Sequence, residues 1–230
     1  MTAQVVTDAT AAFARAVGPA PDAVIAEMDE RAEREGFPTV GPAVGGWLQV
    51  LARLVGARRV FEFGSGFGYS AYWFARALPA DGEVVLTEVD ADELELAREY
   101  LARGGFDDLA RYELGDAVET VADVAGPFDV VLLDNEKHRY REAFEAVRPK
   151  VAEGGVVVAD NAMAGAGVDF TAVEELLARD KVSDDGEDDV AVGESTRGVA
   201  AYLRRVRSDP DFETALLPLG EGVAVSCRTG

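Results

Sequence analysis

Two stretches of the 230-residue sequence hold side chains whose types and spacing suit chemistry. LLDNEKHRY, Leu132 to Tyr140, puts Asp134 at the end of a predicted strand and Lys137 three positions later. VVVADNAM, Val156 to Met163, ends a second predicted strand on Asp160 with Asn161 directly after it. In open α/β folds ligands bind at the carboxyl edge of the sheet, and both stretches end there. Two carboxylates and one amide oxygen are hard ligands, suited to Mg²⁺, Mn²⁺ or Ca²⁺ and poorly suited to soft metals.

A third stretch, EFGSGFGYS from Glu62 to Ser70, sets Gly64, Gly66 and Gly68 between a strand and a helix. Glycine permits left-handed backbone and close approach to a ligand, and the helix start behind it offers unpaired N–H groups. Glu88 closes the next strand, where a carboxylate can accept hydrogen bonds from two ribose hydroxyls. Dinucleotide-binding dehydrogenases share this arrangement, but two details favour S-adenosylmethionine. Tyr69 stands where a dinucleotide fold usually carries its third glycine, and Glu62 lies two residues ahead of Gly64. An acid there attracts the cationic amino group of an amino-acid moiety and repels a pyrophosphate.

These residues need a scaffold, and the hydrophobic periodicity supplies one. Helical spacing covers Asp22 to Glu35 and Pro42 to Val55; strands are expected at Arg59 to Phe63, Glu83 to Glu88, Arg111 to Leu114, Phe128 to Leu133 and Gly155 to Ala159. Helices alternate with them at Tyr69 to Leu78, Ala91 to Ala102, Ala117 to Ala125 and from about His138. Alternation of this kind implies an α/β fold with a mainly parallel sheet and helices on both faces. After Asp160 the chain turns polar and glycine-rich through about Glu194, with one short helical stretch near Ala172 to Leu177. A helix from Thr196 to Arg207 and two strands, Phe212 to Leu217 and Val223 to Cys227, follow; their short connection predicts an antiparallel hairpin. One domain is expected: N-terminal helices to residue 56, a cofactor-binding core over 57–160, an acidic variable loop region over 161–195, and a C-terminal helix and hairpin over 196–230.

The composition narrows the chemistry. Cys227 and His138 are the only residues of their types, so multi-cysteine or multi-histidine zinc sites and a histidine-based triad are poorly supported. The formal net charge of −21 repels nucleic-acid phosphates and anionic lipid, and neither is expected as a partner. Only three of 22 basic residues are lysines, Lys137, Lys150 and Lys181, and acids cluster from Asp184 to Asp189, a balance that resembles proteins adapted to high salt. No apolar run reaches the ~20 residues that cross a bilayer, and the start lacks a secretory pattern, so a cytoplasmic location is expected.

Taken in order and spacing, EFGSGFGYS, TEVD, LLDNEKHRY and VVADN resemble the cation-dependent O-methyltransferases, the family of catechol and caffeoyl-CoA O-methyltransferases. The similarity runs from about Gly45 to Arg228 and includes the closing stretch RGVAAYLRRVRSDPDFETALLPLGEGVAVS. The resemblance implies a Rossmann-like methyltransferase fold with a seven-stranded sheet, and a homodimer. It implies Asp134, Asp160 and Asn161 as metal ligands and Lys137 as general base. Around S-adenosylmethionine it implies Gly45, Glu62, Gly64, Gly66, Gly68, Ser70, Glu88, Asp116 and Asp134, with Glu88 on the ribose and Asp116 toward the adenine. The acceptor is then a small hydroxylated molecule, a catechol or vicinal diol, whose metal-chelated hydroxyl gives its proton to Lys137 and attacks the sulfonium methyl.

Two departures bear on the acceptor. Ala164, followed by Gly165, Ala166 and Gly167, stands where plant relatives carry a tryptophan, which removes a pocket wall. The acids from Asp184 to Asp189 lie where the family builds specificity, making a polyanionic coenzyme A thioester an awkward substrate. His138 is read as surface, and Tyr140, Phe144 and Trp47 as packing residues. On the residues themselves a metal-independent methyltransferase, a nicotinamide-dependent oxidoreductase and a non-catalytic cofactor-binding module remain alternatives.

Overall fold

The computed structural model describes residues 7–178 and 192–230; the acidic stretch from Asp184 to Asp189 lies outside the described residues. Three helices open the chain: α1 (Asp8–Val17), α2 (Ala23–Glu35) and α3 (Gly41–Leu54). There follow β1 (Arg59–Phe63), α4 (Tyr69–Ala75), β2 (Glu83–Glu88), α5 (Ala91–Gly104), β3 (Ala110–Leu114), α6 (Ala117–Asp123), β4 (Phe128–Leu133), α7 (Tyr140–Val147) and β5 (Val151–Ala159). The chain ends with α8 (Phe170–Ala178), α9 (Glu194–Arg207), β6 (Phe212–Leu217) and β7 (Val223–Arg228). Helix starts follow local chemistry. Asp22, Asp90 and Asp116 each accept backbone N–H bonds at the first turn of α2, α5 and α6, satisfying donors that the helix leaves unpaired.

The sheet has the order β3-β2-β1-β4-β5-β7-β6, parallel except for the pairings of β7 with β5 and with β6. Side chains alternate across it. Val60, Leu86, Leu132 and Val158 face a core built with α2 to α5, while Phe61, Phe63, Val131 and Val157 face a core built with α6 to α9. Because both faces are covered, the central strands are apolar at nearly every position, as doubly covered parallel strands must be. Glu62 breaks that run.

The chain leaves β1 toward one side and β4 toward the other, so the carboxyl ends of these neighbours frame a crevice. Backbone bonds level the edge: Asp134 N–H donates to Phe63 O at 3.0 Å and Asp160 N–H to Leu133 O at 3.2 Å. The antiparallel β7 pairs Ala224 with Ala159, which carries the β6–β7 turn to that same edge.

The expected strands and hairpin are present, with three shifts. α1 is an additional helix; its apolar Phe13 and Val17 stay exposed, so it has no buried apolar stripe to betray it. β5 begins at Val151, earlier than expected, because the strand continues through Gly154 and Gly155. The residues from Lys137 to Arg139 form a single 3-10 turn before α7. No helix among the described residues is long and apolar enough to cross a membrane.

Candidate active site

The crevice is a cavity of about 410 Å³ at the carboxyl edge, lined by the glycine turn, Glu88, Asp116, Asp134, Lys137, Asp160, Asn161 and Glu221. Gly64, Gly66 and Gly68 have φ of +79°, +49° and +81°, left-handed backbone that L side chains rarely adopt. Space reinforces the requirement at Gly66, where a Cβ would lie 2.8 Å from the Phe37 ring that walls the cavity.

Glu88 ends β2 with its carboxylate already engaged. Oε2 accepts from Gly66 N–H at 2.8 Å, and Oε1 accepts from Val89 N–H at 2.8 Å and Asp90 N–H at 3.1 Å. It therefore ties the glycine turn to the next strand while facing the cavity. Asp116 is likewise occupied, capping α6 through Val118 and Glu119 N–H and pairing with Arg139, whose guanidinium holds its carboxyl below the usual range.

Glu62, on β1 two residues before Gly64, is fully buried and outside the cavity lining, and neither carboxylate oxygen has a hydrogen-bond partner among the described residues. Burial pushes its pKa up to about 8; the Ser70 hydroxyl, close by but short of full hydrogen-bond geometry, offsets part of this, and the Asp134 charge adds to it. A buried acid without a partner is costly in its charged form, so such a group keeps its proton or is paired with a cation.

At the other end Asp134 and Asp160 stand side by side. Lys137 Nζ donates to Asp134 Oδ1 at 2.7 Å and lies 5.2 Å from the centre of the Tyr140 ring. The surrounding protein raises the Asp134 pKa and Lys137 pulls it back. Asp160 is pushed up to about 8, first by burial and then by the Asp134 charge. Its Oδ1 is buried with no partner among the described residues. The Asn161 backbone is left-handed, with φ 52°, a conformation asparagine tolerates better than most residues.

The structure thus brings together Gly64, Gly66, Ser70, Glu88, Asp116, Asp134, Lys137, Asp160 and Asn161 around one cavity; Glu62 is fully buried and does not line it, and Gly68 faces away, a Cβ there falling 2.9 Å from Ala97, so packing against α5 accounts for that glycine. Gly45 is placed elsewhere. It sits on α3 against Trp73, where a Cβ would fall 2.3 Å from the indole nitrogen, so close helix packing accounts for the glycine. His138 is exposed, Tyr140 and Phe144 are buried packing residues, and Trp47 packs against the first core. Sequence reasoning missed Phe37 and Glu221, which reach the cavity from distant segments, and Arg139, which lies within LLDNEKHRY itself.

Residues 22–229 match the O-methyltransferase family. The chain belongs to it. These are class I S-adenosylmethionine-dependent enzymes. A catechol O-methyltransferase of Niastella koreensis is 35% identical over 146 residues, which cover 61% of this chain and 66% of that relative, just under two thirds of its length. A relative from Mycolicibacterium vanbaalenii is 30% identical over 213 residues, 90% of this chain and 84% of its own. Among solved structures, the O-methyltransferase TomG of Streptomyces achromogenes, crystallised with S-adenosylmethionine, superposes with a TM-score of 0.81 over 100% of both chains at 26% identity.

Proposed function

We propose that this O-methyltransferase modifies a hydroxyl of a catechol-like or vicinal-diol small molecule and requires a divalent cation, Mg²⁺ first and Mn²⁺ or Ca²⁺ as alternatives. The observation that carries the cation is the buried, unpartnered Asp160 Oδ1 beside the Asp134 carboxylate. Two acids crowded in a buried place favour an added positive charge, and with the Asn161 amide they make a hard oxygen set. Among the described residues no three His, Cys, Asp or Glu side chains gather for a metal; the set proposed here has two acids and one amide.

A cation bound by Asp134, Asp160 and Asn161 supplies a Lewis acid that lowers the pKa of an acceptor hydroxyl. S-adenosylmethionine supplies a sulfonium methyl group. The chain does the rest by holding and orienting. Glu62 and Ser70 would hold the methionine end of the cofactor, Glu62 supplying a carboxylate for its ammonium group. Glu88, its orientation fixed by three backbone donors, receives the ribose, and Asp116 with the start of α6 borders the adenine. Lys137, beside Asp134 at the cavity, is the group placed to take the acceptor proton. Positioning two bound reactants then contributes most of the rate.

The Lys137–Asp134 ion pair supports one competing reading, a metal-independent methyltransferase in which the ammonium alone balances the acid. Methyl transfer to a catechol, measured with chelator and after adding Mg²⁺ or Mn²⁺, separates the two. Loss with EDTA and recovery with the ion are expected; undiminished turnover by metal-stripped protein rejects the cation. A homodimer is part of the same proposal, supported by exposed Phe13, Val17, Val50 and Leu54 on α1 and α3.

A further inference from the structure

We propose that Glu221 is a positioning residue for the cation site, holding the Asn161 amide in the orientation that offers its oxygen as a ligand. This rests on the reading of Asp134, Asp160 and Asn161 as cation ligands. Glu221 lies in the turn between β6 and β7, and its Oε2 accepts a hydrogen bond from Asn161 Nδ2. An asparagine amide carries donors on one edge and an acceptor on the other, and a flip exchanges them. With a carboxylate against the donor edge, a flip would set the amide oxygen against a negative oxygen, so this charge-assisted bond selects one orientation. Only that orientation leaves the oxygen free for a hard cation.

The backbone shows that the pairing is built into the fold. Glu221 O accepts from Met163 N–H at 3.1 Å and Ala164 N–H at 2.8 Å, and Gly222 O accepts from Ala162 N–H at 2.7 Å. The segment after Asn161 is thereby laced to the hairpin turn. Gly165, with φ +70°, passes directly over the carboxylate: a Cβ there would lie 1.6 Å from Glu221 Oε2. A side chain at this position would evict Glu221.

Glu221 acts through Asn161 and not as a ligand itself. Its Oε2 is committed to the amide, and Asp134, Asp160 and Glu221 do not form a three-acid metal group. Partners of this kind, which orient the ligands they touch, change metal affinity by about 10–100-fold when removed.

The test is Mn²⁺ binding without acceptor or turnover, followed by electron paramagnetic resonance of free Mn²⁺, with S-adenosylhomocysteine affinity measured in parallel. The parent is expected to bind Mn²⁺, and Glu221→Ala to bind it about 10–100-fold more weakly. Glu221→Gln keeps an oxygen that accepts from Asn161 Nδ2 and is expected to recover most of that loss. Adenosylhomocysteine affinity, carried at the Glu62 and Glu88 end, stays the same in both variants. Parent-like Mn²⁺ affinity in Glu221→Ala overturns the proposal. So does a Gln variant as weak as the Ala variant, which would assign the effect to charge, or a parallel loss of adenosylhomocysteine affinity, which would assign it to a disrupted loop. A parent that binds no Mn²⁺ overturns the cation reading itself, a different result from a binding parent with indifferent variants.

Discussion

Replacing Glu62 by glutamine removes a charge from the least favourable place in the molecule and keeps the side-chain shape. The carboxyl is fully buried, and burial first, then the Asp134 charge against the partial relief from Ser70, moves its pKa from 4.5 to about 8. An acid raised in the folded state keeps a proton that the unfolded chain has already released. Stability therefore falls as pH rises from about 4.5 to about 8, and above that the whole penalty is present. At about 1.4 kcal/mol for each tenfold change, the penalty is roughly 5 kcal/mol, a large fraction of the net stability of a typical domain. Glutamine does not titrate. In urea unfolding without ligand, Glu62→Gln is expected to exceed the parent by roughly 3–5 kcal/mol near pH 9, the gap closing toward pH 4.5. Its affinity for S-adenosylmethionine falls at the same time, because the ammonium group loses its charged partner. A stability difference that is constant across pH, or a parent that is the more stable protein near pH 9, would refute the reasoning.

Glu88→Ala is expected to weaken S-adenosylmethionine binding by roughly 2–4 kcal/mol, since the ribose loses a charged acceptor and Gly66, Val89 and Asp90 N–H lose theirs; unchanged affinity by calorimetry removes Glu88 from the site. Lys137→Ala should lower turnover by about 10²–10⁴-fold while cofactor affinity stays close to the parent's; a loss below about tenfold with a non-activated hydroxyl acceptor counts against a general base. With a formal charge of −21, thermal stability should rise as KCl approaches molar concentration, because screening relieves repulsion among carboxylates. Equal melting temperatures at low and molar salt would discount adaptation to salt.

The sequence by itself determined the alternation of strands and helices, because periodicity and helix caps are written within a few residues of one another. It also determined the glycine turn and the strand-end positions of Asp134, Asp160 and Asn161, since a parallel strand delivers its last residue to one edge of the sheet. Lys137 follows Asp134 closely enough that their pairing at 2.7 Å is a local event. Tertiary structure alone decided what meets these groups. The family resemblance implies Gly45 as a cofactor residue, yet it faces the Trp73 indole because two helices cross there. Glu88 and Asp116 look free in the sequence, yet Glu88 accepts from Gly66 N–H, 22 positions away, and Asp116 pairs with Arg139, 23 positions away. Glu221 reads as an ordinary hairpin turn; it reaches Asn161, 60 positions away, because β7 enters antiparallel beside β5 and so begins where β5 ends. Hairpin formation is local, but the side of the sheet it joins depends on packing energies summed over the whole core, which no short stretch of sequence contains.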